Sequence, residues 1–278
     1  MSGVSDIDGF LRHIRACRTA VLPGNRVPFR LGAAQVGWVE PALAAALRAE
    51  PDVHAEATGL SLADPAALGR INRTAAEQGF CRWRGEAFDV RATPDGPVLA
   101  QLDRGALPAF GVAAAGVHMN GLVHRADGLH VWVARRAANK ALDPGKLDHL
   151  VAGGVPAGLG PDETLVKEAA EEAGISPDLA ASARRVGLVA YTMDRPEGLR
   201  RDRLYCYDLE LPQNFCPVPT DGEVESFELW PARRVLDAVR DGDDFKFNVP
   251  LVLIDFFLRH GMIAGAAATA LRGALDAD

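Results

Sequence analysis

Apolar and polar positions change rhythm along this chain, and the changes mark out its elements. Residues 10–19 carry a helical pattern, 28–31 and 36–39 are short extended pieces, and 41–48 is an alanine-rich helix with Pro41 in the favoured first turn. A further helix is expected over 65–79, then strands over 88–91 and 98–101 joined through the Pro94-Asp95-Gly96 turn. Beyond Pro108 the texture shifts. Segments 112–117, 121–124 and 129–134 are strand-like, with Asn120-Gly121 and Asp127-Gly128 expected as turns. A glycine-rich loop and a short helix follow, then strands over 185–191, 204–211 and 224–230 and helices near the end. The pattern divides the chain near residue 110 into a smaller N-terminal α+β domain (1–110) and an α/β sandwich (111–263), with 264–278 as a helix or tail.

Composition narrows the partners. At 278 residues and 48 % apolar the chain can build sizeable cores, and 24 % charged residues is ordinary for a folded domain. A net charge of −7 repels a phosphate polymer, so no nucleic-acid partner is expected. A small phosphorylated substrate stays open, because a bound divalent cation reverses the local field. Cys17, Cys81, Cys206 and Cys216 show no Cys-x-x-Cys spacing, which fits a reducing cytoplasm and no zinc site or disulfide framework. Residues 1–20 are interrupted by charges and lack the apolar core of a signal peptide. The most apolar late run, 249–258, is too short to span a bilayer, so no membrane partner is expected.

The chemistry is concentrated in residues 153–175. Gly160 and Pro161 suit the start of a helix, Asp162 and Glu163 face the positive end of its dipole, and Gly174 suits the left-handed position just past its end. At ~100° per residue, Glu168, Glu171 and Glu172 share a sector of roughly 100°, while Leu165, Val166, Ala169, Ala170 and Ala173 occupy the adjoining side, suited to packing on a sheet. Three crowded carboxylates repel one another; a divalent cation removes that penalty and uses the same oxygens as ligands. Such a cluster is ordinarily a solvated helix face, but the glycines on both sides demand one particular loop–helix–loop.

The segment resembles the Nudix box, G-x5-E-x7-R-E-U-x-E-E-x-G-U, where U is a bulky aliphatic residue. Gly153, Glu168, Glu171, Glu172, Gly174 and Ile175 match it; Leu159 stands for the first Glu, Lys167 for Arg, and Ala169 is smaller than usual. In the family that Glu and Arg commonly pair to brace the loop on the helix, so a different brace is expected here, with Lys167 in reach of Glu163 or Glu171. The stretches 147–154, 207–212 and 221–229, with Pro28-Phe29-Arg30-Leu31, Val36-Gly37-Trp38-Val39 and Trp83-Arg84-Gly85-Glu86, are similar to one Nudix branch. That branch carries an extra N-terminal domain and includes the Nudix part fused to thiamine pyrophosphokinase in some fungi.

The resemblance implies a Nudix α/β/α sandwich and hydrolysis of a phosphoanhydride in a small diphosphate substrate. Thiamine diphosphate, or its oxidised or damaged forms, would go to the monophosphate; a nucleoside diphosphate derivative or a non-catalytic sensing module are the alternatives. It implies Mg²⁺, with Mn²⁺ able to substitute, held by Glu168, Glu171, Glu172 and a backbone carbonyl of Ala152 or Gly153. Glu223, after the Asp221-Gly222 turn, is the candidate for a further acid in the cleft, with Glu225 an equal competitor on the same strand face. Arg195 and Arg200, with Arg201 and Arg203, are candidates to hold the distal phosphate from the loop after Tyr191, since guanidinium forks match phosphate oxygens. An isomerase on the same fold would need a cysteine at the cleft, for which Cys206 is the strand candidate.

Overall fold

A computed structural model describes residues 4–277. Helix α1 (Val4–Ala16) leads into β1 (Val27–Leu31), β2 (Ala34–Val39), α2 (Pro41–Leu47), β3 (Val53–Glu56) and β4 (Gly59–Leu62). A 3-10 turn (Pro65–Ala67) and α3 (Leu68–Glu77) precede β5 (Ala87–Val90), β6 (Ala100–Asp103) and α4 (Leu107–Phe110). The chain continues through β7 (Ala113–Arg125), β8 (Gly128–Arg136), β9 (Leu147–Asp148), β10 (Val151–Gly154), α5 (Pro161–Ala173) and α6 (Pro177–Ala180). It closes with β11 (Arg184–Arg195), β12 (Gly198–Glu210), β13 (Val224–Pro231), α7 (Ala232–Asp241), α8 (Val249–Arg259) and α9 (Gly265–Asp276).

Three sheets result. The first has the order β2-β1-β4-β3, and β5 and β6 form a hairpin beside it. The large sheet runs β11-β12-β7-β8-β13, with β10 on β7 and β9 on β8. It is mixed, because β12 and β7 run parallel while the other pairs are antiparallel. Residue alternation gives this sheet two apolar faces, as expected for a strand set buried on both sides. One face carries Leu122, Val131, Val133, Leu204 and Cys206 under α1, α7, α8 and α9. The other carries Val117, Met119, Tyr205 and Tyr207, against Leu165, Ala169 and Ala173 of α5. The expected α/β sandwich with an additional α+β unit is therefore the architecture observed.

Two expectations are corrected. The first helix does not belong to the small N-terminal core: Phe10, Ile14 and Cys17 are buried with the strands of the large sheet, and Phe10 meets Phe257 of α8 edge-on at 6.3 Å. The unit drawn as 1–110 thus begins on the far core. Second, Asn120-Gly121 is no turn; β7 runs straight through it. Asn120 is fully buried and donates to Asp208, 2.9 Å away. Gly121 sits where an added Cβ would come within 2.3 Å of Leu150. Both residues are there for packing across layers, which turn chemistry alone does not reveal. The expected C-terminal helix or tail is α9, which buries Leu271 and Leu275.

Candidate active site

Helix α5 is built as its sequence requires. The Glu163 side chain accepts the Gly160 N–H at 2.8 Å, Pro161 opens the first turn, and Gly174 closes the helix at φ 63°. Its buried face presses on β7 and β10, which turns Glu168 and Glu172 toward β10. Glu172 is only 7 % exposed, and its carboxylate accepts the Ala152 N–H at 2.9 Å. The Glu168 carboxyl lies over Gly153 so closely that a Cβ there would stand 2.5 Å from it. Glu171 behaves differently. Its side chain is half exposed and Lys167 holds it at 2.5 Å, with Glu168 a second partner of the same ammonium at 3.2 Å. Of the two partners expected for Lys167, Glu171 is therefore the one engaged.

Outside the helix, Asp221 and Glu223 approach Glu172, and one carboxylate oxygen of each of the three lies within 4.8 Å of the others. Lys140 binds Glu223 at 2.5 Å. A narrow hollow of ≈ 10 Å³, the scale of one water or ion, opens between Glu172 and Glu223 above Ala134, Asp148, His149 and Ala152. A roomier groove of ≈ 440 Å³ lies at the N-terminal end of α5, by Asp162, Arg185 and Tyr207, and contains none of these glutamates.

The carboxylates of the hollow lie close together, and Glu172 among them is buried. Burial pushes the Glu172 carboxyl well above the usual range, against the pull of the Ala152 N–H, and Asp148, Glu168 and Asp221 push it further. Burial raises Glu168 as well, with Lys167 opposing. Glu172, Asp221 and Glu223 converge carboxylate oxygens, the set a hard divalent cation takes, so these residues fit such an ion.

Beneath lies a buried layer that sequence reading missed. Asp148 receives Arg136 at 2.8 Å, Lys246 at 3.3 Å and the His149 N–H at 2.9 Å. Burial alone would raise this carboxyl, but the Lys246 charge and the His149 hydrogen bond hold it well below the usual carboxylate range. The His118 and His149 Nδ1 atoms are 3.1 Å apart, and burial lowers both imidazoles, keeping them neutral. The available signal was the Asp148-His149 pair just ahead of the glycine loop.

Arg195 and Arg200 are not at this site. The hairpin turns at Pro196 and Glu197, so both lie on strands, not on a loop. They face the side of the sheet away from α5, stacked on Phe247 at 5.4 and 5.2 Å. Arg200 is taken by Asp202 at 2.8 Å, which also accepts the buried Tyr191 hydroxyl; a buried carboxylate needs that cation. By alternation Arg201 and Arg203 point to the α5 side, where Arg201 donates to the Gly111 carbonyl at 3.1 Å. Cys206 is fully buried in the opposite core, where burial pushes its thiol far up, so it offers no cleft nucleophile.

The chain is similar to known proteins along most of its length. A domain of unknown function (DUF4743) covers residues 9–114, and the NUDIX domain covers 115–248. Over 279 residues the chain is 37 % identical to Nudix hydrolase 20, chloroplastic, of Arabidopsis thaliana, spanning 93 % of this chain and 75 % of the relative. It is also 37 % identical to that plant's Nudix hydrolase 24, chloroplastic, spanning 93 % and 74 %. Among solved structures, a protein of Deinococcus radiodurans is similar with a TM-score of 0.47 and 20 % identity, over 60 % of this chain and 97 % of that one. The chain belongs to the Nudix hydrolase family, divalent-metal enzymes of phosphoanhydrides, and carries a domain of unknown function ahead of its Nudix domain.

Proposed function

We propose that this chain is a pyrophosphohydrolase that takes thiamine diphosphate, or its oxidised forms, to the monophosphate. The observation that carries the hydrolytic part is the convergence of Glu168, Glu172, Asp221 and Glu223 at β10. The substrate part rests on the resemblance of nearly the whole chain to the thiamine diphosphate branch.

In this reading Mg²⁺, or Mn²⁺ in its place, would be held by Glu168, Glu171 and Glu172 with a carbonyl of Ala152 or Gly153, and Glu223 would be the further acid beside Glu172. When bound, the ion supplies an acidified water and neutralises phosphate charge. Glu171 and Glu223 are each held by a lysine at 2.5 Å, Lys167 and Lys140, and would exchange that ammonium for the cation. A cluster carboxylate would accept the proton of the attacking water, while the bare Cα of Gly153 lets the Glu168 carboxyl rest on the strand backbone. Asp148, clasped by Arg136 and Lys246, fixes the floor of the hollow.

A phosphate-release screen with Mg²⁺ or Mn²⁺ over thiamine diphosphate, oxothiamine diphosphate, ADP-ribose and nucleotides tests the reading. Turnover is expected to be greatest on the thiamine compounds, with thiamine monophosphate as product, and Glu172→Gln to lower kcat by about 100-fold or more. Turnover confined to a nucleotide derivative discards the thiamine substrate. Equal rates for Glu172→Gln and parent discard the cluster as the catalytic centre.

A further inference from the structure

We propose that strand β5 of the N-terminal domain is the brace of the catalytic loop, with Phe88 and Asp89 as positioning residues for the glutamate cluster. The chain between β10 and α5 must arch away from the large sheet and return in register for Glu168 to lie on Gly153. Its first amide beyond the strand, Val155, donates to the Ala115 carbonyl at 2.9 Å, and its last, Gly160, to Glu163 at 2.8 Å. Between these anchors the Ala157 N–H donates to the Ala87 carbonyl at 2.8 Å and the Gly158 N–H to the Asp89 carboxylate at 3.4 Å. Leu159 turns back on Pro156 within the loop, at 3.3 Å. Among the described residues, the amide bonds tying the middle of the loop to anything outside it both end on β5.

The second contact is steric. Successive residues of a strand face opposite sides, so Gly153 and Gly154 look in opposite directions. An added Cβ on Gly153 would stand 2.5 Å from the Glu168 carboxyl carbon, and one on Gly154 would stand 2.8 Å from Phe88 Cζ. The two-residue backbone is gripped between the catalytic carboxylate and a ring that is 3 % exposed and part of the N-terminal core. The brace is itself held. Asp89 is bound by Arg91 at 3.2 Å. At the foot of β5 the buried Asp103 carboxylate accepts the N–H groups of Arg84, Gly85, Glu86 and Gly105 at 2.7–3.1 Å. A loop fixed only at its ends can drift by the ångström that spoils a ligand set.

The consequence for catalysis rests on the hydrolase reading; the contacts do not. In the full-length chain, Phe88→Ala and Asp89→Ala are each expected to raise amide hydrogen exchange across residues 153–160 by about tenfold. They should weaken Mn²⁺ binding without substrate several-fold and lower kcat by roughly tenfold, with KM within about threefold. Gly154→Ala is expected to lower kcat similarly, and the double variant Gly154→Ala with Phe88→Leu to recover most of that loss, because leucine removes the ring edge the new methyl meets. Unchanged loop exchange in Asp89→Ala, or strictly additive effects in the double variant, overturns the brace. A parent chain that hydrolyses no diphosphate sinks the hydrolase reading instead, and the exchange and Mn²⁺ measurements still decide the brace.

Discussion

Glu172 is where burial and charge meet most sharply. Its carboxyl has a folded pKa raised above the unfolded value, mainly by burial. Between those two values the folded state binds more protons than the unfolded one, so this group's contribution to stability falls as pH rises through the window. A divalent cation compensates the ionised form. The chain is therefore expected to gain more melting temperature from Mn²⁺ at pH 8 than at pH 5, by a margin that Glu172→Gln reduces, since burial raises Glu168 as well. Saturation at 100 times Kd corresponds to about 2.7 kcal/mol. Thermal melts at the two pH values, with and without Mn²⁺, check this; equal gains at both would refute it. Glu168 and Glu172 were legible because helical spacing puts them together locally. Asp221 and Asp148 were not, since strand pairing brings them in from separate segments. The arginines failed for a related reason: the partner that claims Arg200 is a buried Asp202, and burial is not written in a short polar run.

The element that makes the site is one helix docked on one strand. Helix α5 was readable from Gly160-Pro161 to Gly174, because caps and periodicity are local signals. Family resemblance marked Ala152 and Gly153 as carbonyl ligands; that the helix docks on this strand is read from the structure, where the Glu168 carboxyl occupies the space a side chain at 153 would fill. Gly153→Ala is thus expected to displace Glu168 while leaving the helix folded. It should lower kcat by roughly 100-fold, with a stability loss of about 1–3 kcal/mol from overpacking. Steady-state kinetics beside denaturant titration separates the two effects; a variant with parental kcat would mean that Glu168 need not rest on β10. The straight run of β7 through Asn120-Gly121 teaches the converse, for there a dipeptide with turn chemistry is recruited by the core.

At the scale of the molecule, the chain crosses between its own cores. Helix α1 begins on the large-sheet core, the chain then builds the small sheet and its hairpin, and β7 returns to the core where it began. The crossing is held by more than apolar contact. Arg12 pairs with Asp243 at 2.5 Å, and His13 Nε2 lies 2.7 Å from the Val239 carbonyl at the end of α7. Removing the Phe10 ring from its place against Phe257 is therefore expected to injure the distant end of the sequence, not the sheet that follows α1. Phe10→Ala should cost about 3–5 kcal/mol, the usual range for a buried aromatic truncated to alanine. Amide exchange should rise first in α8, while β1 and β4, whose core holds Phe29, Leu60 and Leu62, keep their parental protection. Loss of protection in β1 and β4 ahead of α8 would show that α1 supports the N-terminal unit after all. The large-sheet core also packs the face of β12 and β7 opposite α5, so loosening it should lower activity without changing the pH dependence set by the glutamates.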